Sequence, residues 1–286
     1  MSNLQLFAGA VAIWSTTWIA ITFQLGKVAP EASVFYRFAL ASLALFAWCL
    51  ARGLPLRFPL RAHAWLVLFG MLTFSVNYLC VYYAEERVVS GLVAVGSSAT
   101  PLLAMLGMRL FFGAPMAGRV ALASALGILG VVLVFVPEVQ RAPSWAGVAF
   151  IAGGVLSATL GSMVAHRNQE AHLPLWQTMA WGMLYGSATT LAFTLAGGKE
   201  LTFDASVTYV ASLAYLVAFG SILAFASWLT LLKRIGAARA GYVGVMVPVL
   251  ALLISAAFEG FRFHWLTLAG IAITVAGNAI VLGKSR

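Results

Sequence analysis

The sequence predicts an all-α integral membrane protein with ten transmembrane helices, arranged as two inverted repeats of five helices. Three observations carry this prediction. The chain of 286 residues is 62% hydrophobic and only 9% charged, which is far from the composition of a water-soluble domain. Windows with few or no charged residues recur along the whole chain. A single shift of the numbering also superimposes several residues of the first half on residues of the second.

The apolar windows give the individual helices. Each is near the ~20 residues that cross a ~30 Å hydrocarbon core as an α-helix, and the short connections require the chain to run back and forth. The alternating ~10-residue segments of a membrane β-barrel do not occur. The first window has no positive segment before it and is too long for a signal peptide, so we interpret it as a retained helix. In chain order the windows are 4–24, 32–51, 62–84, 88–108, 120–137, 142–165, 173–196, 205–232, 240–258 and 263–282.

The positive charges indicate the orientation. If the N-terminus is cytoplasmic, eleven of the 17 Lys and Arg residues fall on the cytoplasmic side, five fall on the other side and Arg37 lies inside a helix. This bias follows the positive-inside rule, so we expect both termini in the cytoplasm of a bacterial cell, with the chain in the inner membrane. The net charge of +9 then reflects topology, and we expect the lipid bilayer, not a nucleic acid, as its partner.

The internal repeat rests on one shift of 147 residues. It superimposes the following pairs: Arg87 and Arg234, Pro101 and Pro248, Gly113 and Gly260, and Gly130 and Gly277. Because each unit holds an odd number of helices, equivalent helices cross the membrane in opposite directions, which is an inverted-topology repeat. We assign residues 1–137 to the first unit and residues 138–286 to the second.

The two equivalent prolines stand near the middle of their helices. A proline removes one backbone donor and crowds the carbonyl four residues earlier, and in hydrocarbon that carbonyl must meet protein, a hydroxyl or water. Ligands of inverted-repeat transporters bind near the midplane, on interrupted helices of both halves. We therefore assign Pro101 and Pro248 as hinges beside a cavity; the alternative is that each only kinks its helix.

Several stretches resemble a known family. YAEERVVSGLVAVGSSATPLLAML with GILGVVLVF, and LLKRIGAARAGYVGVMVPVLALLISAAFEG with GIAITVAGNAIVLG, are similar to the two tandem EamA-type units of the drug/metabolite transporter superfamily. WSTTW, YRFALASLAL and SVNYLCVYYA in the first three helices also fit, so the resemblance covers nearly the whole chain. It implies a ten-helix exporter with a central cavity. Within the superfamily the sequence is most similar to bacterial exporters of aromatic and neutral amino acids.

Catalytic and metal-binding motifs are absent from the sequence. The four histidines fall at helix ends or in loops without zinc-site spacing, and no Walker-type phosphate loop occurs. We therefore expect no enzyme, no cofactor, no metal and no use of ATP. The two cysteines, Cys49 and Cys80, are expected to be free, buried thiols. All eight acidic residues lie in loops or at helix ends, so we favour passive export; a proton-coupled multidrug exporter of the same fold is the alternative.

The candidate substrate site combines one charge with aromatic side chains. Arg37 is the one charge well inside a predicted span; it would bind a substrate carboxylate, act in gating, or reach toward the helix end. Phe74, Tyr78 and Tyr82 recur every four residues on one helix face, although Tyr and Trp also form interfacial belts. We assign substrate binding to Trp14, Thr17, Asn77, Tyr78, Tyr82, Ser98, Phe225, Trp228, Tyr242 and Met246.

These observations together predict an exporter of a small zwitterionic or aromatic metabolite. It would work by alternating access, with Arg37, Pro101 and Pro248 as hinge or gating residues. We expect a monomer or a weak dimer, because small-residue faces pack helices closely within one chain or between two.

Overall fold

The architecture is a bundle of helices joined by short connections. The structure, a computed structural model, describes residues 1–113, 118–141, 144–240 and 242–282. Within these ranges the chain forms helices and turns and no strand, so the all-α prediction is confirmed. Because the connections are short, consecutive helices run in opposite directions through the bundle.

We number the helices in chain order, and count pieces that continue one another as one helix. The bounds are α1 Asn3–Thr22, α2 Pro30–Ala51, α3 in the pieces Leu60–Gly70, Met71–Val76 and Asn77–Glu85, α4 in the pieces Ser90–Ser97 and Ala99–Phe112, α5 Gly118–Arg141, α6 Trp145–Glu170, α7 Leu175–Ala196, α8 in the pieces Val207–Tyr215, Leu216–Leu223 and Ala224–Ala240, α9 Tyr242–Phe258 and α10 Trp265–Leu282.

Several helix ends have the local signals that their sequences predict. Ser2 and Gln5 form a capping box at the start of α1, and Ser144 and Ser206 accept a backbone N–H at the starts of α6 and α8. These side chains satisfy backbone donors that have no partner inside the helix. Pro30 begins α2, at a position where a missing N–H costs nothing.

Length and composition show a multi-pass membrane protein. Among the described residues, six helices are long and apolar enough to cross a membrane, and the ranges are Asn3–Thr22, Pro30–Ala51, Leu60–Glu85, Ser90–Phe111, Trp145–Glu170 and Val207–Ile235. Three further apolar helices are shorter, with 10–17 residues each: Ala125–Pro137, Met246–Phe258 and Trp265–Gly277. The count of ten spans stays a prediction.

The helix contacts have an internal symmetry. α5 packs on α10, α2 on α7 and α4 on α9. Three further contacts each have a counterpart. The contact of α3 with α6 corresponds to that of α8 with α1, and the contact of α4 with α6 corresponds to that of α9 with α1. The contact of α3 with α7 corresponds to that of α8 with α2. Replacing every helix by the one five places away in the numbering leaves this set of contacts unchanged.

Local backbone geometry follows the 147-residue shift as well. Both α3 and α8 contain a π-helical piece, Met71–Val76 and Leu216–Leu223, and the shift carries 71–76 onto 218–223. Gly113 after α4 and Gly260 after α9 both have a left-handed backbone, with φ of 64° and 69°, as glycines that terminate helices do. Thr274 donates a hydrogen bond of 3.3 Å to the carbonyl of Gly127, 147 residues earlier.

Contacts between connections define the two ends of the bundle. At one end, which we call the outer end, Lys27 lies 3.5 Å from Asp204 and the backbone N–H of Ser90 donates to Glu259. At the opposite inner end, Arg234 donates to the carbonyl of Met1 over 3.0 Å. Each of these contacts joins parts of the chain that the charge pattern assigns to the same side of a membrane; the orientation itself stays a prediction.

Candidate functional site

Arg37 lies inside the bundle and is only 1% exposed. Its Nε donates a hydrogen bond of 2.9 Å to the Ser221 hydroxyl in the π-helical piece of α8. Its guanidinium carbon lies 4.5 Å from the ring centroid of Tyr78 and 5.2 Å from that of Phe38. The side chain therefore points inward and binds a neighbouring helix instead of reaching a helix end.

Small residues on α8 make room for this guanidinium. A side chain at Gly220 would place its Cβ 2.8 Å from the Thr17 methyl group and 3.2 Å from Arg37 Nη2. Thr17 is buried there, with its hydroxyl bonded to the carbonyl of Trp14. The Trp14 indole in turn donates to the Gly220 carbonyl over 3.4 Å. The site is therefore built from α1, α2 and α8, with glycine required at the point of closest approach.

An unbroken series of ring contacts leads from Arg37 across the bundle, and we call it the aromatic chain. It takes rings from four helices and from both halves of the sequence. Successive centroid distances are 4.7 Å for Tyr78 to Phe38, 5.2 Å for Phe38 to Phe74, 5.2 Å for Phe74 to Phe225, 5.3 Å for Phe225 to Trp14 and 6.1 Å for Trp14 to Trp228.

The structure thus brings together Trp14, Thr17, Tyr78, Phe225 and Trp228 of the predicted substrate site. It adds Phe38 as the ring that connects Tyr78 to Phe74. The only feature of the sequence that could have indicated Phe38 as a site residue is its position directly after Arg37.

Other predicted residues lie apart from the aromatic chain. Asn77 faces α6, where a Cβ on Gly154 would lie 3.5 Å from its Oδ1. Met246 is 42% exposed. The side chain of Tyr242 falls outside the described residues. Cys80 is only half-buried whereas Cys49 is buried, so the expectation of two buried thiols is wrong for Cys80; both are free.

Tyr82 is fully buried rather than at a membrane surface. Its hydroxyl donates a hydrogen bond of 2.7 Å to the Oε1 of Gln24. A belt side chain keeps its polar tip in the headgroup region, whereas the Tyr82 hydroxyl is bonded inside the protein; its part in substrate binding stays a prediction. The tyrosine ties the end of α1 to the outer half of α3.

Three buried donors on α1, just after α1 and on α2 have no acceptor. They are Nη1 of Arg37, Nε2 of Gln24 and Nε1 of Trp18. Buried polar groups are nearly always hydrogen-bonded, and each exception needs an explanation such as a missing ligand. A buried guanidinium with an unpaired donor, as at Arg37, is suited to an anion such as a carboxylate.

The backbone around the two prolines differs: one helix is interrupted and the other is continuous. α4 is interrupted at Ser98, whose hydroxyl donates to the Val95 carbonyl over 2.6 Å, and Pro101 is the third residue of the piece that follows. Pro248 lies inside the continuous helix α9. A cavity of about 10 Å³ lies between α4, α9 and α10 and is lined by Val95, Ser98, Pro248, Val249, Leu252, Ile271, Thr274 and Val275. Such a volume holds about one water molecule.

A polar cluster, which we call the outer clasp, joins three parts of the chain at the outer end. The Glu31 carboxylate of α2 accepts hydrogen bonds from the Tyr83 hydroxyl of α3 and from the Lys199 ammonium of the α7–α8 connection. The hydrogen bond to Glu31, and next that to Tyr83, raises the pKa of Lys199 above its ordinary value. Lys199 is therefore charged at every physiological pH. The sequence carries no signal for this cluster, because Glu31 and Lys199 are 168 residues apart.

Among the residues that the structure describes, no group of three or more His, Cys, Asp or Glu side chains is placed to hold a metal ion. The chemistry available at the buried site is therefore that of hydrogen-bond donors, one guanidinium and aromatic rings. Such a site is suited to binding and orienting a small molecule.

Comparison with known proteins gives three findings. The profile of the EamA-like transporter family matches residues 1–136 and 145–283. A protein of Bacillus subtilis (strain 168) with the name Uncharacterized transporter YdfC is 23% identical over 270 residues, which are 93% of this chain and 86% of that protein. A crystal structure aligns with a TM-score of 0.71 at 18% identity, over 98% of this chain and 96% of the other, and this similarity shows the fold alone.

Proposed function

Because the chain belongs to the EamA-like transporter family, we propose that it exports small metabolites, in particular aromatic and neutral amino acids, across the bacterial inner membrane. Family membership makes the protein a multi-pass membrane transporter and not an enzyme. The substrate class is our proposal, and it rests on the chemistry of the buried site.

One observation carries the choice of substrate. The Arg37 guanidinium is buried with Nη1 unpaired, and the aromatic chain begins at its face. A free amino acid has a carboxylate for the guanidinium and a side chain that packs on rings. Charge-assisted hydrogen bonds are stronger away from water, so the buried guanidinium selects a substrate that has a carboxylate. Aromatic side chains add favourable ring contacts of about 0.5–1.5 kcal/mol.

The symmetry of the helix contacts supports alternating access between two inverted repeats. In this proposal residues 1–137 and 138–286 each form five transmembrane helices, and both termini are cytoplasmic. The aromatic chain takes rings from α3 of the first repeat and α8 of the second, so a movement of one repeat against the other would open or close the site. Inverted-repeat transporters place their ligands at this kind of interface.

The alternative is a proton-coupled multidrug exporter with the same fold, and one observation favours it: the buried carboxyl of Glu85 has no hydrogen-bond partner. Against cationic drugs as substrates stands Arg37, whose positive charge is buried at the site. Like charges in a site of low dielectric repel strongly. The sequence also contains no phosphate loop for ATP, so substrate would move down its own gradient.

The test is efflux from proteoliposomes loaded with labelled phenylalanine, without ATP and with equal pH on both sides. We expect efflux to persist when a protonophore is added, and to be slowed by unlabelled tryptophan or leucine but not by a cationic dye. Efflux that the protonophore abolishes would favour the proton-coupled alternative. Efflux of the dye without efflux of phenylalanine would overturn the proposed substrate.

A further inference from the structure

Glu85 is the last residue of α3, yet it is 8% exposed. Both of its carboxylate oxygens are buried and lack a hydrogen-bond partner. The next residue, Glu86, differs: its side chain is 31% exposed and pairs with Arg87 over 3.0 Å. Two adjacent acids at one helix end therefore have opposite surroundings.

The surroundings of Glu85 disfavour a negative charge. The C-terminal end of a helix carries partial negative charge from its unpaired carbonyls. Glu259, from the end of α9, acts on Glu85 with the same sign, while Arg37 on α2 opposes it. Tyr82, three residues earlier on α3, also interacts with Glu85, and the Glu86–Arg87 ion pair follows it directly in the chain.

Neither nearby group pairs with Glu85. The Glu259 carboxylate accepts the backbone N–H of Ser90 over 3.2 Å and the Ser90 hydroxyl over 2.5 Å. Arg37 donates its Nε to Ser221. A buried carboxylate without a partner is strongly unfavourable and becomes neutral by binding a proton.

We propose that Glu85 is a proton-binding site of the outer gate. Its carboxylate takes one proton from the outer solution when the outer end closes, and it returns that proton to the same solution when the outer end opens. In this structure the outer clasp of Glu31, Tyr83 and Lys199 is formed, so the buried, unpaired state of Glu85 belongs to the closed outer end.

The proton enters and leaves on one side, so no net proton crosses the membrane. The proposal rests on the proposed function and deepens it, because passive export would then have a rate that depends on outer pH. Opening releases a proton, so acidification favours the closed state. Above the ordinary carboxyl pKa of about 4.3, each pH unit shifts the closed-to-open ratio by up to about tenfold.

The first experiment uses proteoliposomes with the outer end of the protein facing the bath and labelled phenylalanine inside. The inner pH is fixed, and the bath is changed from about pH 8 to about pH 6. We expect export by the natural protein to slow by up to about tenfold per pH unit, with a protonophore present or absent. Glu85→Gln should lose this dependence, and Glu86→Gln should retain it. Equal pH dependence in Glu85→Gln, or faster export that the protonophore abolishes, would overturn the proposal.

The second measurement needs no substrate. Infrared spectra of the protein in bilayers near pH 7 report the carbonyl band of protonated carboxyl groups. We expect a band that Glu85→Gln removes and Glu86→Gln leaves in place. A band with no phenylalanine transport would mean that the proposed function fails while the proton site stands. Absence of the band, or its retention in Glu85→Gln, would mean that the proton site fails whatever the protein transports.

Discussion

Two helix contacts lie in corresponding places of the bundle but differ in the polarity of the residues that meet there. α2 and α7, both of 22 residues, pack against the π-helical pieces of α8 and α3, respectively. When the starts of α2 and α7 are aligned, Gly182 corresponds to Arg37. Under the 147-residue shift, Phe74 corresponds to Ser221. In one contact the large residue is Arg37 and the small one is Ser221; in the other the large residue is Phe74 and the small one is Gly182.

The comparison teaches that two contacts in corresponding places of the bundle differ in polarity: one pairs a charged residue with a hydroxyl, and the other pairs an aromatic ring with a glycine. A Cβ on Gly182 would lie 3.2 Å from the Phe74 ring, so the α3–α7 contact is close-packed and apolar at these two residues, although Thr190 bonds Ser75 nearby over 2.8 Å. The α2–α8 contact holds a guanidinium with an unpaired donor. We therefore expect the first contact to carry stability and the second to carry substrate binding.

The largest expected effect comes from the closest approach in the apolar contact. A Cβ on Gly70 would lie 2.2 Å from the carbonyl oxygen of Gly182, and neither backbone can move alone. Gly70→Val should therefore prevent folding, measured as loss of the monodisperse peak in size-exclusion chromatography. Gly9→Val is the control, because a Cβ there meets nothing within 4 Å. Equal yields of the two variants would mean that α3 and α7 do not approach so closely.

The second prediction compares the two contacts directly. Phe74→Ala removes a fully buried ring from the core and should cost about 3–5 kcal/mol of stability. Ser221→Ala removes the acceptor of Arg37 Nε and should cost about 1–3 kcal/mol, with weaker phenylalanine binding. Thermal unfolding in detergent checks the order. A larger loss of stability in Ser221→Ala would contradict the division of roles.

The smallest effects are expected at the prolines, since alanine restores a donor and removes a ring without emptying the core. Pro101→Ala and Pro248→Ala should both insert normally and slow transport, with access shifted toward opposite sides. Cysteine labelling near Tyr78 and Met246, with reagents restricted to each face, measures that shift. Normal rates in both variants, or shifts in the same direction, would leave the prolines as packing features.

Much of the fold follows from the sequence because hydrocarbon thickness limits helix length. The window 32–51 corresponds to α2, Pro30–Ala51, and Gly113 and Gly260, one of the four pairs that define the 147-residue shift, share a left-handed backbone. The π-helical pieces were not predicted. Apolar runs such as MLTFSV have no residue that requires i→i+5 bonding, so tertiary packing has to select it.

The sequence predicts individual residues of the candidate site but not which of them contact one another. Trp14 and Phe225 were assigned from aromatic spacing and do meet, whereas the bond from Arg37 to Ser221 joins residues 184 positions apart. Glu85 shows the main limit of the sequence. The sequence placed this acid at a helix end, but its burial depends on the elements that pack over that end.

Binding selectivity at Arg37 tests the central claim most directly. Affinities for phenylalanine and for phenethylamine, which lacks the carboxylate, would be measured by titration calorimetry on the natural protein and on Arg37→Leu. We expect the natural protein to prefer phenylalanine, and Arg37→Leu to lose about tenfold to hundredfold of that preference, the worth of hydrogen bonds to a charged group. An unchanged preference in Arg37→Leu would contradict the account, because the carboxylate would then bind elsewhere.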